Sequence, residues 1–210
     1  MTEIEAEVSG SQVREIDRVG AFTDGVMAIA ITLLVLNLHV PHVASHDSTA
    51  LRHGLLKLGP DLFAYAISFA VIGRYWILHH RFIAVLRGYD LLLILINLVF
   101  LGFVVLIPFA AEVLGRYGHL APAAITYALV LTAVATTNVL LVRYSLSQGF
   151  VAPAAASQAT PFADLYGFLT VGIFACSIPL ALLSPRAAEI SWFVVILART
   201  PFLYRRTRRN

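Results

Sequence analysis

Long apolar runs separated by short polar stretches dominate this chain. A helix needs roughly 20 apolar residues to cross a bilayer, and six runs meet that need, near 22–40, 56–78, 90–112, 120–143, 162–183 and 189–204. The links between them are too short for a soluble domain. The pattern predicts an all-α integral membrane protein: six transmembrane helices in a single repeat over 18–204, after an N-terminal tail at 1–17 and before a basic end at 205–210.

Local signals place the ends of the runs. Asp24 and Gly25 stand near the start of the first, and Pro41 biases Val40 away from helical geometry at its close. The segment "VPHVASHDSTALRHG" then reads as an outer loop, and "GRYWILHHRF" closes the second run with interfacial aromatic and basic residues. Asp90 is placed to cap the third helix and Pro108 to kink it. The fourth run is rich in alanine and threonine, which favours close helix contact. Pro153 and Pro161 punctuate a loop between the fourth and fifth runs. "PFADLYGFL" echoes "AFTDGVMAI" only by chance, because Gln158 stands where a repeat would need arginine and the flanks diverge.

Composition agrees with the pattern: 59% of residues are hydrophobic, 13% are charged, and mean hydropathy is +0.82. Basic residues set the orientation, because loops rich in Lys and Arg stay cytoplasmic. Arg14, Arg18, Arg81, Arg87, Arg143, Arg205, Arg206, Arg208 and Arg209 fall on one side, and Arg52, Lys57, Arg116 and Arg186 on the other. The chain is therefore expected to cross a membrane several times with both ends inside. Its closing "RRTRRN" is read as an anchor to anionic lipid headgroups rather than a nucleic-acid site. The acidic N-terminus lacks the form of a cleavable signal, and Cys176, the single cysteine, is assigned to packing.

The first run, "RVGAFTDGVMAIAITLLVLNLHVP", holds the candidate chemistry. With Ile29 as zero on a helical wheel, Leu33 falls at about +40°, Leu36 at about −20° and Thr32 at about −60°, while Asp24 lies about 140° away. The three aliphatic residues share a narrow face that could meet lipid, a protein core or a pore. Near the membrane Asp24 needs partners, since a bare buried charge costs several kcal/mol. Arg18, Thr23, Trp76, His79 and His80 are candidates for that role. The polar turn can thus lock the helix to its neighbours, or simply mark a helix start at the interface.

Arg18, Phe22, Thr23 and Asp24 resemble the Arg-x-x-x-Phe-Ser-Asp signature of the transmembrane protein 175 family of potassium channels, with threonine keeping the hydroxyl of serine. "GVMAIAITLLVL", "WILHH" and "DLLLILINLVFLGFVVLIPF" extend the resemblance over the first half of the chain. The last two runs match in hydropathy and order only. The larger animal members carry the six-span unit twice; a single unit implies a homotetramer. The resemblance further implies that the first helix of each subunit lines a central pore narrowed by Ile29, with Leu33 and Leu36 as further rings and Thr32 as a polar pore position. Arg18, Phe22, Thr23 and Asp24, joined by Trp76 and His79, are expected to hold the pore helices in place.

A potassium filter of Thr-Val-Gly-Tyr-Gly carbonyls is absent from the sequence. Selection is expected at an aliphatic constriction, where the easier dehydration of K+ favours it modestly and dewetting can close the path. K+ is then the permeant ion, and no cofactor is expected. His39, His42, His46 and His53 near the outer mouth would gain charge below about pH 6.5 and lower cation entry. His79 and His80, adjacent on a helix, point apart and carry no H-E-x-x-H pattern, so neither a metal site nor an enzyme is expected. A proton-conducting channel and a secondary transporter are the alternatives.

Overall fold

The computed structural model describes residues 3–42 and 47–197, with the side chains of 14–42, 47–153 and 165–197. Every regular element among them is helical. The first helix, α1 (Glu3–Leu33), begins well before the expected boundary and runs through the 3–17 portion of the predicted tail. Leu34–Asn37 then tighten into a 3-10 turn, instead of continuing as α-helix toward residue 40. The predicted outer loop contains a short helix, α2 (Ser48–Lys57). Asp47 caps it, its carboxylate accepting from the backbone N–H groups of Thr49 at 3.1 Å and Ala50 at 3.4 Å. No residue of α2 is buried, so sequence periodicity had no core-facing stripe to reveal.

Helix α3 (Gly59–Val85) descends from a first turn containing Pro60 and carries "WILHH" well inside its length. Asp90 caps α4 (Leu91–Val104), accepting from the Leu93 N–H at 2.8 Å. The helix breaks at Val105 and Leu106, and α5 (Ile107–Tyr117) resumes with Pro108 in its first turn. The missing proline N–H explains the break, since it removes one rung of the helical ladder. Helices α6 (Ala121–Ser147), α7 (Pro153–Leu183) and α8 (Pro185–Leu197) complete the bundle. Helix α7 starts at Pro153 and passes through Pro161, so most of the expected loop is helical.

Among the described residues, five segments are long and apolar enough to cross a membrane: Arg14–Asn37, Gly59–Val85, Leu91–Tyr117, Ala121–Ser147 and Leu165–Leu183. Helix α8 corresponds to the sixth run as far as Leu197; the rest of that run, with Arg199, and the basic end at 205–210 lie outside the described residues. The chain is a multi-pass membrane protein.

Helix α6 is central and packs on α4, α5 and α7. Its buried face carries Ala123, Ala124, Ala128 and Ala135, the small residues that let backbones approach where lipid is as apolar as any side chain. Gly167 of α7 shows how near they come: a Cβ there would lie 2.8 Å from Val139 Cγ2. Polar contacts fasten the packed helices. Ser68 and Tyr127 hydroxyls meet at 2.9 Å, and the Trp192 indole donates to Ser177 at 2.9 Å. At the opposite end, the α3–α4 and α6–α7 turns pair through Leu86 and Val151. The Arg87 N–H donates to the Phe150 carbonyl at 2.7 Å and the Ala152 N–H to the Val85 carbonyl at 3.0 Å. Gly149, at φ +70°, makes the turn that permits this pairing.

Candidate functional site on the first helix

Helix α1 lies at the edge of the bundle, packed on α3 and α4 along one side. Among the described residues of α1, Ile16, Thr23, Met27 and Ala30 are buried, as is Leu34 just beyond it; they fall between about +100° and +160° on the wheel centred at Ile29. The opposite side is uncovered: Phe22 is 55% exposed, Ile29 59%, Leu33 40% and Leu36 67%. Phe22 and Arg18 project at about +20° and −20°, so both join the aliphatic stripe.

The expected locking cluster therefore divides. Thr23, Asp24, Trp76 and His79 make contacts between helices. Thr23, fully buried, accepts from the Asn97 side-chain N–H at 3.0 Å, and the Asn97 carbonyl faces His79 Nε2 at 2.9 Å. One polar line thus joins α1, α4 and α3 through the apolar interior. The His79 ring also lies flat against Phe100, with centroids 5.8 Å apart and planes 4° from parallel. Asp24 turns to the side and accepts from the Trp76 indole N–H at 2.9 Å, and Trp76 stacks on His80 at 5.7 Å. Thr23 is thus bonded to Asn97 rather than to Asp24. Arg18 is exposed and pairs with Glu15 of its own helix at 3.7 Å.

Asn97, the middle of the buried line, was missed by sequence reasoning. Its signal was available: it is the single strongly polar residue in "LLLILINLVFLGFVV", and an amide inside a membrane helix needs partners.

Beyond Leu33 the wheel itself changes. In a 3-10 turn residues three apart eclipse each other, so Leu36 stands above Leu33, displaced by about 60° from its position on a uniform α-helix. Thr32, exposed beside the stripe, donates its hydroxyl to the Ile29 carbonyl at 2.8 Å. Just past the stripe, the Asn37 side chain donates to the Pro108 carbonyl at 2.8 Å, and His39 Nδ1 meets the Asn37 carbonyl at 2.9 Å. His42 and His53 are exposed; His46 lies outside the described residues. Among the described residues, no three His, Cys, Asp or Glu side chains are grouped to hold a metal ion.

Comparison with known proteins places this arrangement. The family profile described as endosomal/lysosomal potassium channel TMEM175 matches residues 18–108, which include α3, α4 and the part of α1 bearing both faces. A Streptomyces collinus protein named potassium channel B446_29190 is 36% identical over 184 residues, covering 81% of this chain and 87% of its own length. Human TMEM175, named an endosomal/lysosomal proton channel, is 38% identical over 102 residues, covering 46% of this chain and 20% of its own. The crystal structure of a lysosomal potassium-selective channel TMEM175 homolog from Chamaesiphon minutus superposes with a TM-score of 0.77 at 28% identity, covering 88% of this chain and 95% of that one. The match to the Streptomyces protein over most of both chains and the shared helical architecture make this chain a member of the TMEM175 family.

Proposed function

We propose that this protein is a potassium channel in which four copies surround a pore lined by α1. Ile29 supplies the narrowest ring, Leu33 and Leu36 further rings, and Thr32 a polar position beside them. The observation that carries this reading is the two-sidedness of α1. One side is fixed to its own bundle by Thr23, Met27, Ala30 and Leu34, whereas an aliphatic stripe on the other is left without cover by its own chain. Lipid is a poor partner for that stripe, because Arg18 and Thr32 share its side of the helix. Neighbouring copies supply cover and a passage at once.

Permeation then follows from the chemistry of the ring. Aliphatic side chains offer an ion few ligands, so K+, which loses water more easily than Na+, passes with modest preference, and a slight narrowing empties the ring of water. The C-terminal ends of four pore helices place partial negative charge near one mouth and favour cations. The permeant ion is K+, and no cofactor takes part. The expected setting is the prokaryotic cell membrane, with both ends cytoplasmic and lipid around the assembly.

The test is K+ flux in liposomes for the wild type and Ile29→Asn. A polar ring wets the constriction and weakens discrimination between K+ and Na+; equal flux and equal selectivity would sink the assignment. Proton conduction is the second reading, prompted by the name of the animal relatives. Reversal potentials in opposed K+ and proton gradients separate the two.

A further inference from the structure

The 3-10 turn at the end of α1 is tied down by a contact the pore assignment does not use. Asn37 donates its side-chain amide to the Pro108 carbonyl at 2.8 Å, joining residues 71 apart. Pro108 sits in the first turn of α5, just after the break that separates it from α4. Leu34, inside the same turn, is fully buried. The backbone follows 3-10 geometry to the end, where the Leu38 N–H donates to the Val35 carbonyl at 3.1 Å. The turn is thus held at both ends, by an apolar anchor at Leu34 and a polar latch at Asn37, with exposed Leu36 between them.

That latch fixes an angle. A 3-10 turn advances about 120° per residue against about 100° in an α-helix, so three steps move Leu36 by about 60° relative to Leu33. At a side-chain radius of about 5–6 Å, this swings the Leu36 tip by about 6 Å, enough to decide whether it stands over the Leu33 ring. We infer that Asn37 is a positioning residue for ion selection: its bond to the Pro108 carbonyl holds the last turn of the pore helix in 3-10 geometry and keeps Leu36 in line with Leu33. This rests on the pore reading above and deepens it.

The experiment is a double-mutant comparison in liposomes containing the purified, fully assembled channel, with the K+ to Na+ flux ratio as the readout. Asn37→Ala frees the turn, since one hydrogen bond of ordinary net worth holds it, and is expected to lower the K+ to Na+ ratio toward unity. Leu36→Ala lowers the ratio alone, and Asn37→Ala added to it changes nothing further. Asn37→Gln, which keeps the amide donor, retains most of the wild-type ratio. Should Asn37→Ala not elute as the wild-type assembly, Asn37→Leu, similar in volume, uncharged and without the donor, carries the same comparison. A wild-type ratio in the latch variant, or the same drop whether residue 36 is leucine or alanine, overturns the positioning role while leaving the pore intact. If Ile29→Asn and Leu36→Ala are both silent, the pore reading fails and the latch falls with it.

Discussion

Two sides of α1 lie within one helical turn of each other and follow opposite rules. The side against α3 and α4 carries Thr23, Met27 and Ala30, with Thr23 satisfied through Asn97 and His79. The other side carries Phe22, Ile29 and Leu33, large apolar groups that its own chain leaves open. In water the difference would look inverted. In a bilayer burying leucine gains little, because lipid is equally apolar, and helices are held by close packing and interhelical hydrogen bonds. The covered side is therefore where stability resides, and the open side is free to serve an assembly and an ion path.

The comparison breaks most sharply at Asn97. Asn97→Ala strands the Thr23 hydroxyl and the His79 ring in the apolar interior and is expected to destabilise the protein by about 2 kcal/mol. Ile29→Ala, on the open side, should change stability by no more than about 0.5 kcal/mol while altering flux. Unfolding of the two variants in the same detergent decides the matter; equal losses would show that the two sides are not energetically distinct.

A finer cut uses adjacent residues. Thr23→Ala is expected to cost about 1 kcal/mol in stability, since it removes one acceptor from the buried line. Phe22→Ala, one residue earlier and about 100° round the helix, should leave the unfolding midpoint in place and change ion flux severalfold. The reverse outcome would return Phe22 to the locking cluster and remove it from the open stripe.

Much of this division was legible in the sequence. The stripe of Ile29 and Leu33, the carboxylate at Asp24 with Trp76 as a donor, the cap at Asp90 and the break near Pro108 all follow from spacing and residue chemistry. What escaped has physical causes. The resemblance groups Arg18 and Phe22 with Thr23 and Asp24 as a lock on the pore helices; within one chain, about 100° per residue puts Phe22 and Thr23 on different sides of α1. Leu36 was placed by a uniform wheel, and nothing local announces that Leu34–Asn37 tighten. The Asn37 bond that accompanies the tightening is made to a residue 71 positions away. Asn97 was hidden by its surroundings, an apolar run whose length mattered more to the reading than its one amide.

Trp76 lies between the two sides and sharpens the boundary. Its indole N–H reaches Asp24 at 2.9 Å, but both groups retain contact with the surface. Trp76→Phe preserves the ring and deletes the donor. The expected loss of stability is about 1 kcal/mol or less, since solvent weakens a bond to an accessible carboxylate. A loss equal to that of Asn97→Ala would move Asp24 to the covered side.

The smallest expected effect separates the covered side from the turn that closes α3 and α4, and pH is its probe. The Thr23, Asn97 and His79 line contains no carboxylate, whereas the turn holds Asp90, whose oxygens accept from the Tyr144 hydroxyl and the Leu93 N–H. These bonds, the Tyr144 hydroxyl foremost, hold the Asp90 carboxyl below its ordinary value. A lowered carboxylate pKa stabilises the fold fully above the unfolded-state value of about 3.9, and the contribution fades as pH falls through the lower folded-state value. Tyr144→Phe should therefore lower the unfolding midpoint slightly at neutral pH, with the difference from wild type shrinking toward pH 2. The deficit of Thr23→Ala should narrow less over the same range, because the acceptor it removes is a hydroxyl. Parallel curves for Tyr144→Phe and wild type across the whole range would mean that the hydroxyl contributes without regard to the charge on Asp90, contrary to a carboxylate-dependent tie.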